Sequence, residues 1–231
     1  MSTQKNSRLI IAIDGPAGAG KSTVTRKVAK EINLNYLDTG AMYRAITWLV
    51  LKSEIALENE KAIAELIETA TLYLMNNPEE EISQVFINGE EVTKYLRTLE
   101  VTEAVSLISA QVAVRNKLVK CQREMGYSRG VIAEGRDIGT NVFPDADIKI
   151  FLTASVEERA KRRLKDYKSQ KLENISIHKL EKDIEARDYQ DSHRKIAPLR
   201  KAIDAIEINT DRLTLEEVTS QIIYICEGYI K

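Results

Sequence analysis

The sequence has little of what marks secreted, metal-binding or membrane proteins. Its 231 residues include only two cysteines, Cys121 and Cys226, which lie too far apart for a metal-binding motif or a disulfide framework. We therefore expect two reduced thiols in a cytoplasmic protein. No apolar run approaches the roughly 20 residues of a membrane span, and the run that follows the polar N-terminus is too short for a signal peptide. We expect no membrane partner.

An excess of charge of one sign is also missing. The 34 Lys and Arg residues nearly balance the 35 Asp and Glu residues, which leaves a formal net charge of −1. Proteins that bind nucleic acid are usually plainly basic, so this balance argues against such a partner. Hydrophobic residues at 43% and charged residues at 30% are typical of a globular domain. Any anion-binding site must therefore be a local cluster of Lys and Arg.

One stretch carries a strong signal for such a site. An apolar run ending at Asp14 is followed by residues 15–22, GPAGAGKS, which fit G-x-x-x-x-G-K-[ST] at every fixed position, and an amphipathic segment begins at once. Glycines allow the backbone N–H groups to approach phosphate oxygens, and a helix that begins at Lys21 adds its positive dipole end. Lys21 is expected to reach the β- and γ-phosphates, and the Ser22 hydroxyl to contact Mg²⁺. The motif predicts that the chain binds a nucleoside triphosphate.

The rest of the chain alternates between short apolar runs and amphipathic segments. This alternation predicts an α/β fold, an open parallel sheet with crossover helices, and ligands at the carboxyl ends of the strands. We expect strands at 9–14, 36–37, 131–134, 148–153 and 206–209, and helices at 21–33, 39–52, 60–70, 100–108, 112–123 and 177–189, with further helices capped at Ser155 and Thr214.

A region of short predicted strands interrupts this alternation. Short strands are expected at 72–75, 84–87 and 90–93, and Asn88-Gly89 is a strong hairpin signal. We therefore predict a single domain with three parts: a core at about 8–60, 100–155 and 200–231, a small antiparallel insert at about 61–99, and a lid at about 156–195. The basic helix in that last region has Arg159 and Arg163 at i, i+4, and we expect them to share a face with Arg162.

A triphosphate site alone leaves two classes of function open. A GTPase-type switch would need N-K-x-D, yet Asn116-Lys117 is followed by Leu118-Val119, and no D-x-x-G occurs. The chain instead has arginines that suit a second phosphate, among them Arg136, which precedes Asp137 at the end of a predicted strand. An enzyme that holds two anionic substrates needs several positive groups to offset their repulsion. A lone helical arginine is more often a solvated surface residue, so the placement at strand ends is what favours an enzyme.

Five segments together resemble bacterial cytidylate kinases. They are GPAGAGKST, DTGAMYR, EGRDIGTNVFPDA, EERAKRR and RDYQDSHRKIAPL; they run from about residue 10 to 199 in family order, and only their combination is specific. Two small departures are Glu134, where some members have Asp, and Thr39, where some have Ser. The small antiparallel insert is also similar to the enlarged monophosphate-binding part of that family.

The resemblance implies transfer of the γ-phosphoryl group from ATP, with Mg²⁺, to CMP or dCMP. It implies an ATP site made by Gly15, Pro16, Ala17, Gly18, Ala19, Gly20, Lys21, Ser22, Thr23 and Arg159, with Lys21, Arg136 and Arg163 as catalytic residues. Around the CMP phosphate it places Thr39, Tyr43, Arg44, Arg136 and Arg194. The base would meet Ser106, Arg115 and Asp137, and the ribose would meet Arg187 and Asp191.

Cytosine chemistry agrees with the base assignment, because a carboxylate accepts from the N4 amino group and an arginine donates to N3 or O2. Alternatives remain: another small-molecule kinase of the uridylate, adenylate or shikimate type, or a regulatory module that only binds ATP. We expect a monomer, since no dimer-forming stripe is conspicuous.

Overall fold

The protein is built on a five-stranded parallel sheet. The computed structural model describes residues 9–76, 83–169 and 176–230. In spatial order the strands are β2 (Tyr36–Asp38), β6 (Val131–Gly135), β1 (Ile10–Asp14), β7 (Ile148–Thr153) and β8 (Ile206–Asn209). Every neighbouring pair is parallel. All five residues of β1 and all five of β6 are buried, as expected for strands covered on both faces.

Helices pack on both sides of this sheet and create two apolar cores. They are α1 (Lys21–Glu31), α2 (Thr39–Lys52), α3 (Glu60–Glu68), α4 (Leu99–Ala110), α5 (Val112–Arg129), α6 (Val156–Ser169), α7 (Ile177–His193) and α8 (Leu215–Ile230). One core includes Ile46 and Phe143, and the other includes Ile13, Val28 and Ile222. Strand β1 contributes alternate side chains to the two cores, so the predicted doubly covered sheet is confirmed.

The predicted antiparallel insert is present. It consists of β3 (Leu72–Met75), β4 (Gln84–Ile87) and β5 (Glu90–Glu91), in that spatial order. Asn88 and Gly89 have φ values of 51° and 80°, as the two central residues of a type I′ hairpin require. The predicted strand at 90–93 is too long, because a 3₁₀ turn at Thr93–Tyr95 replaces its end.

Helices α6 and α7 form a third, small cluster. Ala160, Leu180 and Ile184 are almost fully buried between them. Helices α6 and α7 thus share an apolar cluster of their own, besides the two large cores, while residues 170–175 of the predicted lid lie outside the described residues. This is compatible with a lid, but movement of the lid stays a prediction, as does the three-part division of the chain.

Several helix ends differ from their expected positions. Helix α5 extends to Arg129 instead of 123, α7 extends to His193 instead of 189, and α3 ends at Glu68 instead of 70. The sequence pattern also missed a π-helical turn at Ile138–Val142, directly after Asp137. Both serine and threonine caps are confirmed: Ser155 Oγ accepts from Glu158 N, and Thr214 Oγ1 accepts from Glu217 N, both at 3.2 Å. Within the described residues no helix is long and apolar enough to cross a membrane.

Candidate active site

The phosphate loop (residues 15–22) turns sharply between β1 and α1. Gly15 has φ of 148°, and a Cβ atom there would lie 2.0 Å from the backbone oxygen of Leu152 on β7. Gly20, with φ of 87°, is the residue before α1. Both positions therefore require glycine, one for close packing against the neighbouring strand and one for a left-handed backbone. The loop lies at the carboxyl end of β1, where the fold predicts a ligand.

Lys21 is the first residue of α1 and is only 6% exposed. Its Nζ donates to the backbone oxygen of Pro16 at 2.7 Å, so the side chain folds over the loop. Burial, followed by the charge of Arg136, lowers the pKa of Lys21 to about 7, although Glu134 and Asp14 oppose the shift. A negatively charged ligand at this loop would favour the charged form of Lys21 and so oppose that shift.

A buried carboxylate stands behind the loop. Glu134, on β6, is 3% exposed, and the Tyr36 hydroxyl donates to its Oε1 at 2.5 Å. Burial and the charge of Asp38 raise the pKa of Glu134, while Lys21 and hydrogen bonds from Ser22 and Tyr36 lower it. The Ser22 hydroxyl, proposed above as a Mg²⁺ contact, therefore lies among oxygen-bearing side chains.

Four arginines gather beside Lys21. They come from α2, from the residue after β6, and from α6 and α7: Arg44, Arg136, Arg163 and Arg187. Burial, and then Arg136 and Arg44, lower the pKa of Arg187 to about 9. Burial lowers the pKa of Arg44 to about 10 against the opposing charge of Asp38, and Arg97, Arg163 and Arg136 add to the lowering. Mutual repulsion of this kind is typical of a site that receives an anion.

These arginines differ in their own contacts. Arg136 Nε pairs with Asp191 Oδ2 at 2.9 Å, and Arg44 Nη1 donates to Leu96 O and to Thr102 Oγ1, both at 2.9 Å. Arg187 Nε is buried and has no hydrogen-bond partner among the described residues. In a chain of net charge −1, the cluster is the local positive site that the composition required.

A second buried group surrounds Asp137. The carboxylate is 4% exposed and pairs with Arg115 Nη2; Arg194 Nη2 lies 3.0 Å from Oδ1, and Asn141 Nδ2 donates to Oδ2 at 3.0 Å. Arg115 also lies over the ring of Tyr43, 5.5 Å from its centroid. We call Arg115, Asp137, Asn141 and Arg194 the pyrimidine end, after the base that the sequence resemblance predicts there. Arg194, expected beside the CMP phosphate, also contacts the predicted base-reading carboxylate, and its place beside the phosphate stays a prediction.

The three arginines of α6 have different hydrogen-bond partners, and their joint action on one ligand stays a prediction. Arg162 donates to Thr210 O at 2.7 Å and to Thr210 Oγ1 at 3.0 Å, and its Nη1 would lie 3.7 Å from a Cβ atom at Gly20 of the phosphate loop. Arg159 points at the phosphate loop, where Nη1 donates to Ala17 O at 3.1 Å and Nη2 pairs with Asp188 at 2.6 Å. Arg163 stacks on Tyr167 within its own helix. Helical spacing alone could not show that Thr210, far along the chain, attracts one of the three.

The remaining predicted residues lie around these groups. Thr39 Oγ1 donates to the backbone oxygen of Glu134 at 2.6 Å, which ties the start of α2 to β6. Ser106 lies half-buried on α4, and its backbone oxygen accepts from Ser109 Oγ at 3.1 Å. The structure therefore brings most of the predicted residues to one edge of the sheet.

Sequence reasoning missed three residues as parts of this site: Tyr36, Asn141 and Asp14. An acid at the end of an otherwise apolar strand was the available signal for Asp14, since a buried carboxylate needs partners. Asn141 gave no signal, because the π-helical turn that aims it at Asp137 has no sequence pattern.

Comparison with known proteins agrees with this geometry. The family model described as cytidylate kinase matches residues 11–227. A bifunctional pantoate ligase/cytidylate kinase of Synechocystis sp. is 57% identical over 227 residues, which are 98% of this chain and 44% of that protein. A protein of the same name from Trichormus variabilis is 56% identical over 217 residues, covering 93% of this chain and 40% of its own length. The chain thus spans less than half the length of these curated relatives.

Solved structures resemble the fold more distantly. A crystal structure of an uncharacterized protein from Eubacterium ventriosum superposes with a TM-score of 0.52 at 12% identity, covering 95% of this chain and 99% of that one. At this identity the likeness concerns the fold alone.

Proposed function

This chain belongs to the cytidylate kinase family, and from that premise we propose that it transfers the γ-phosphoryl group of ATP to CMP or dCMP, giving CDP or dCDP. The observation that supports the proposal most is the clustering of two unlike groups at one sheet edge. A phosphate loop with its lysine suits a triphosphate, and a carboxylate held by two arginines suits a base with both donors and acceptors.

The pyrimidine end suits cytosine better than uracil. Asp137 can accept from the N4 amino group, while Arg115 or Arg194 can donate to N3 or O2. Uracil would place its O4 acceptor against the carboxylate and leave N3–H without an acceptor. Since the groups around Asp137 are buried, such a mismatch would be costly, and discrimination by kcat/KM would follow.

The arginine cluster suits the monophosphate. In the proposed reaction an oxygen of the CMP phosphate attacks the γ-phosphorus, the bond to the β–γ bridging oxygen breaks, and ADP leaves. The acceptor is already an anion, so no general base is required. Lys21, Arg136, Arg163 and Arg187 would lower the repulsion between the two substrates and hold the reacting oxygens in line.

The residues near the phosphate loop fit Mg²⁺. Ser22 would contact the ion, and the carboxylates of Glu134 and Asp38 would hold its water ligands. Among the described residues no group of three or more His, Cys, Asp or Glu side chains could hold a metal ion alone. Mg²⁺ usually retains waters and binds substrate phosphates, so a sparse protein donor set suits it. When bound, the ion would neutralise charge on the phosphates.

We propose further that α6 and α7 close over ATP. Arg159 already joins α6 to the phosphate loop, so a movement of α6 would change the contact at Ala17. Closure would exclude water and limit hydrolysis of ATP. Hydrogen exchange in Val156–Ser169 and Ile177–His193 should slow when ATP and CMP analogues bind together. Unchanged exchange with both ligands bound would contradict closure.

An ATP-coupled assay across CMP, dCMP, UMP, AMP and shikimate tests the proposed function. Rapid turnover of CMP with slow turnover of the others supports it. Preference for another acceptor would assign a different small-molecule kinase, and ATP binding without transfer to any acceptor would indicate a regulatory module. A cytoplasmic location stays a proposal, supported by the nucleotide substrates and the free cysteines. A monomeric state stays a proposal as well.

A further inference from the structure

Asp14 is a buried acid that the proposed chemistry does not use. It ends β1, directly before Gly15, and is 4% exposed in a strand whose other residues are isoleucine and alanine. Burying a carboxylate is costly unless its oxygens accept hydrogen bonds. A residue of this kind at the entry to a phosphate loop needs an explanation.

The partners of Asp14 lie on the turn that follows Asp137. Oδ1 accepts from Ile138 N and Oδ2 accepts from Gly139 N, both at 2.8 Å. These two amides open the π-helical turn Ile138–Val142, which also carries Asn141. Two bonds from one carboxylate to successive N–H groups fix both the distance and the orientation of the turn. Such π-helical turns are rare and often occur at functional sites.

The packing at Gly139 shows how close this approach is. A Cβ atom at that position would lie 3.4 Å from Asp14 Oδ2 and 3.1 Å from the Cδ of Lys149. Strand pairing alone does not extend this far, because the β1–β6 ladder ends at the pair Asp14–Gly135. Beyond that pair, Asp14 provides the contact that continues from the phosphate loop to the residues around Asp137.

We propose that Asp14 is a positioning residue that holds the Asp137 turn in register with the phosphate loop, so that the base and the reacting phosphate are bound at a fixed separation. The proposal rests on the proposed function and adds a determinant of cytosine recognition to it. Burial raises the pKa of Asp14 to about 6 against the opposing effect of the two backbone hydrogen bonds, which shows the cost at which the contact is kept.

Asp14→Asn tests this directly. The variant keeps the size of the side chain and one accepting oxygen, but its NH₂ group faces the other N–H donor and cannot accept from it. We expect exchange of the Ile138 and Gly139 amides in the free protein to accelerate at least about tenfold. The dissociation constant for CMP should rise about ten- to hundredfold, while that for ATP with Mg²⁺ should change less than about threefold.

The chain offers a matched control. Asp147 Oδ2 accepts from Ile10 N at 2.8 Å, so a carboxylate also holds the opposite end of β1, away from the site. Asp147→Asn should leave the affinities for CMP and ATP unchanged. If Asp14→Asn does not fold, Gly139→Val is the second variant, because methyl groups on a Cβ atom already 3.4 Å from Asp14 Oδ2 would crowd the same contact from the turn. The change leaves the phosphate loop sequence intact and should weaken CMP binding in preference to ATP binding.

Unchanged exchange at Ile138 and Gly139, or equal weakening of CMP and ATP in Asp14→Asn, would overturn the proposal. The second result would mean that Asp14 only shapes the phosphate loop. Failure of the wild type to bind CMP would count against the proposed function instead, and the amide exchange rates would then still decide whether Asp14 holds the turn.

Discussion

The two ends of the candidate site are built in opposite ways. The phosphate loop is one run of eight residues, with Lys21 as its principal charged side chain. In the proposed function its glycines let backbone N–H groups bind the phosphates. The pyrimidine end takes four side chains from α5, from the end of β6, from the π-helical turn and from the segment after α7. Its charges hold one another, whereas the loop is held by its backbone.

This difference predicts how each end fails. A site made of backbone tolerates most side-chain changes outside its required glycines, but it depends on Lys21, its principal cation. A buried ion-pair network loses several contacts when any member is removed, because the partners remain buried without compensation. Substitutions at the two ends should therefore produce different combinations of lost rate and lost stability.

The largest effect is expected at the phosphate end from Lys21→Ala. A charge placed on the transferring phosphoryl group acts mostly in the transition state, so kcat should fall on the order of a hundredfold or more. The melting temperature should change little, because the buried lysine is itself costly to desolvate. Lys27→Ala on the same helix removes only an exposed pair with Glu216 and should retain full activity. Near-normal turnover by folded Lys21→Ala would contradict the assignment of the loop.

At the pyrimidine end, Asp137→Asn should lower kcat/KM for CMP, with a rise in activation free energy of about 1.5–3 kcal/mol. UMP should lose less, since the new amide can donate to its O4 atom. The variant should also lose stability by about 1–3 kcal/mol, because Arg115 and Arg194 remain buried beside a neutral group. We would measure kcat/KM for CMP and for UMP on the wild type and on Asp137→Asn, and the stability of both proteins by denaturant unfolding. An unchanged CMP/UMP ratio would show that Asp137 only holds the arginines.

The same contrast explains what the sequence could predict. The phosphate loop is local, so its motif and its flanks were enough, and the strands at 148–153 and 206–209 were placed correctly for the same reason. Arg115 and Arg194 lie 22 and 57 residues from Asp137 in the chain. Resemblance to a family suggested that Arg115 and Asp137 meet, and nothing in the sequence suggested the contact with Arg194. The π-helical turn and the direction of Arg162 depend on tertiary contacts that no periodicity records.

Arg159 combines features of both ends, since it is a buried charged side chain that supports the backbone of the phosphate loop. Arg159→Met would remove its bonds to Ala17 O and Asp188 and keep its apolar packing. We expect KM for ATP to rise about tenfold, with a smaller change in KM for CMP. Lys161→Met, which breaks an exposed pair with Glu157, is the control and should leave both constants unaltered. Equal rises in KM for ATP and for CMP would show that Arg159 does not act mainly at the phosphate end.

The smallest expected effect concerns the proton on Lys21. With a pKa near 7 in the free protein, the amine is mostly neutral at pH 8, and the negative charge of ATP should raise that pKa well above 8. ATP binding at pH 8 should then take up close to one proton, and the affinity should weaken about fivefold between pH 7 and pH 8. Calorimetry in buffers of different ionisation enthalpy measures the uptake directly. Lys21→Arg keeps its charge at both pH values, so ATP binding to this variant should take up no proton. Uptake by the wild type alone would locate the proton at Lys21, the side chain on which the phosphate end depends. No uptake in either protein would mean that Lys21 is already charged before ATP binds.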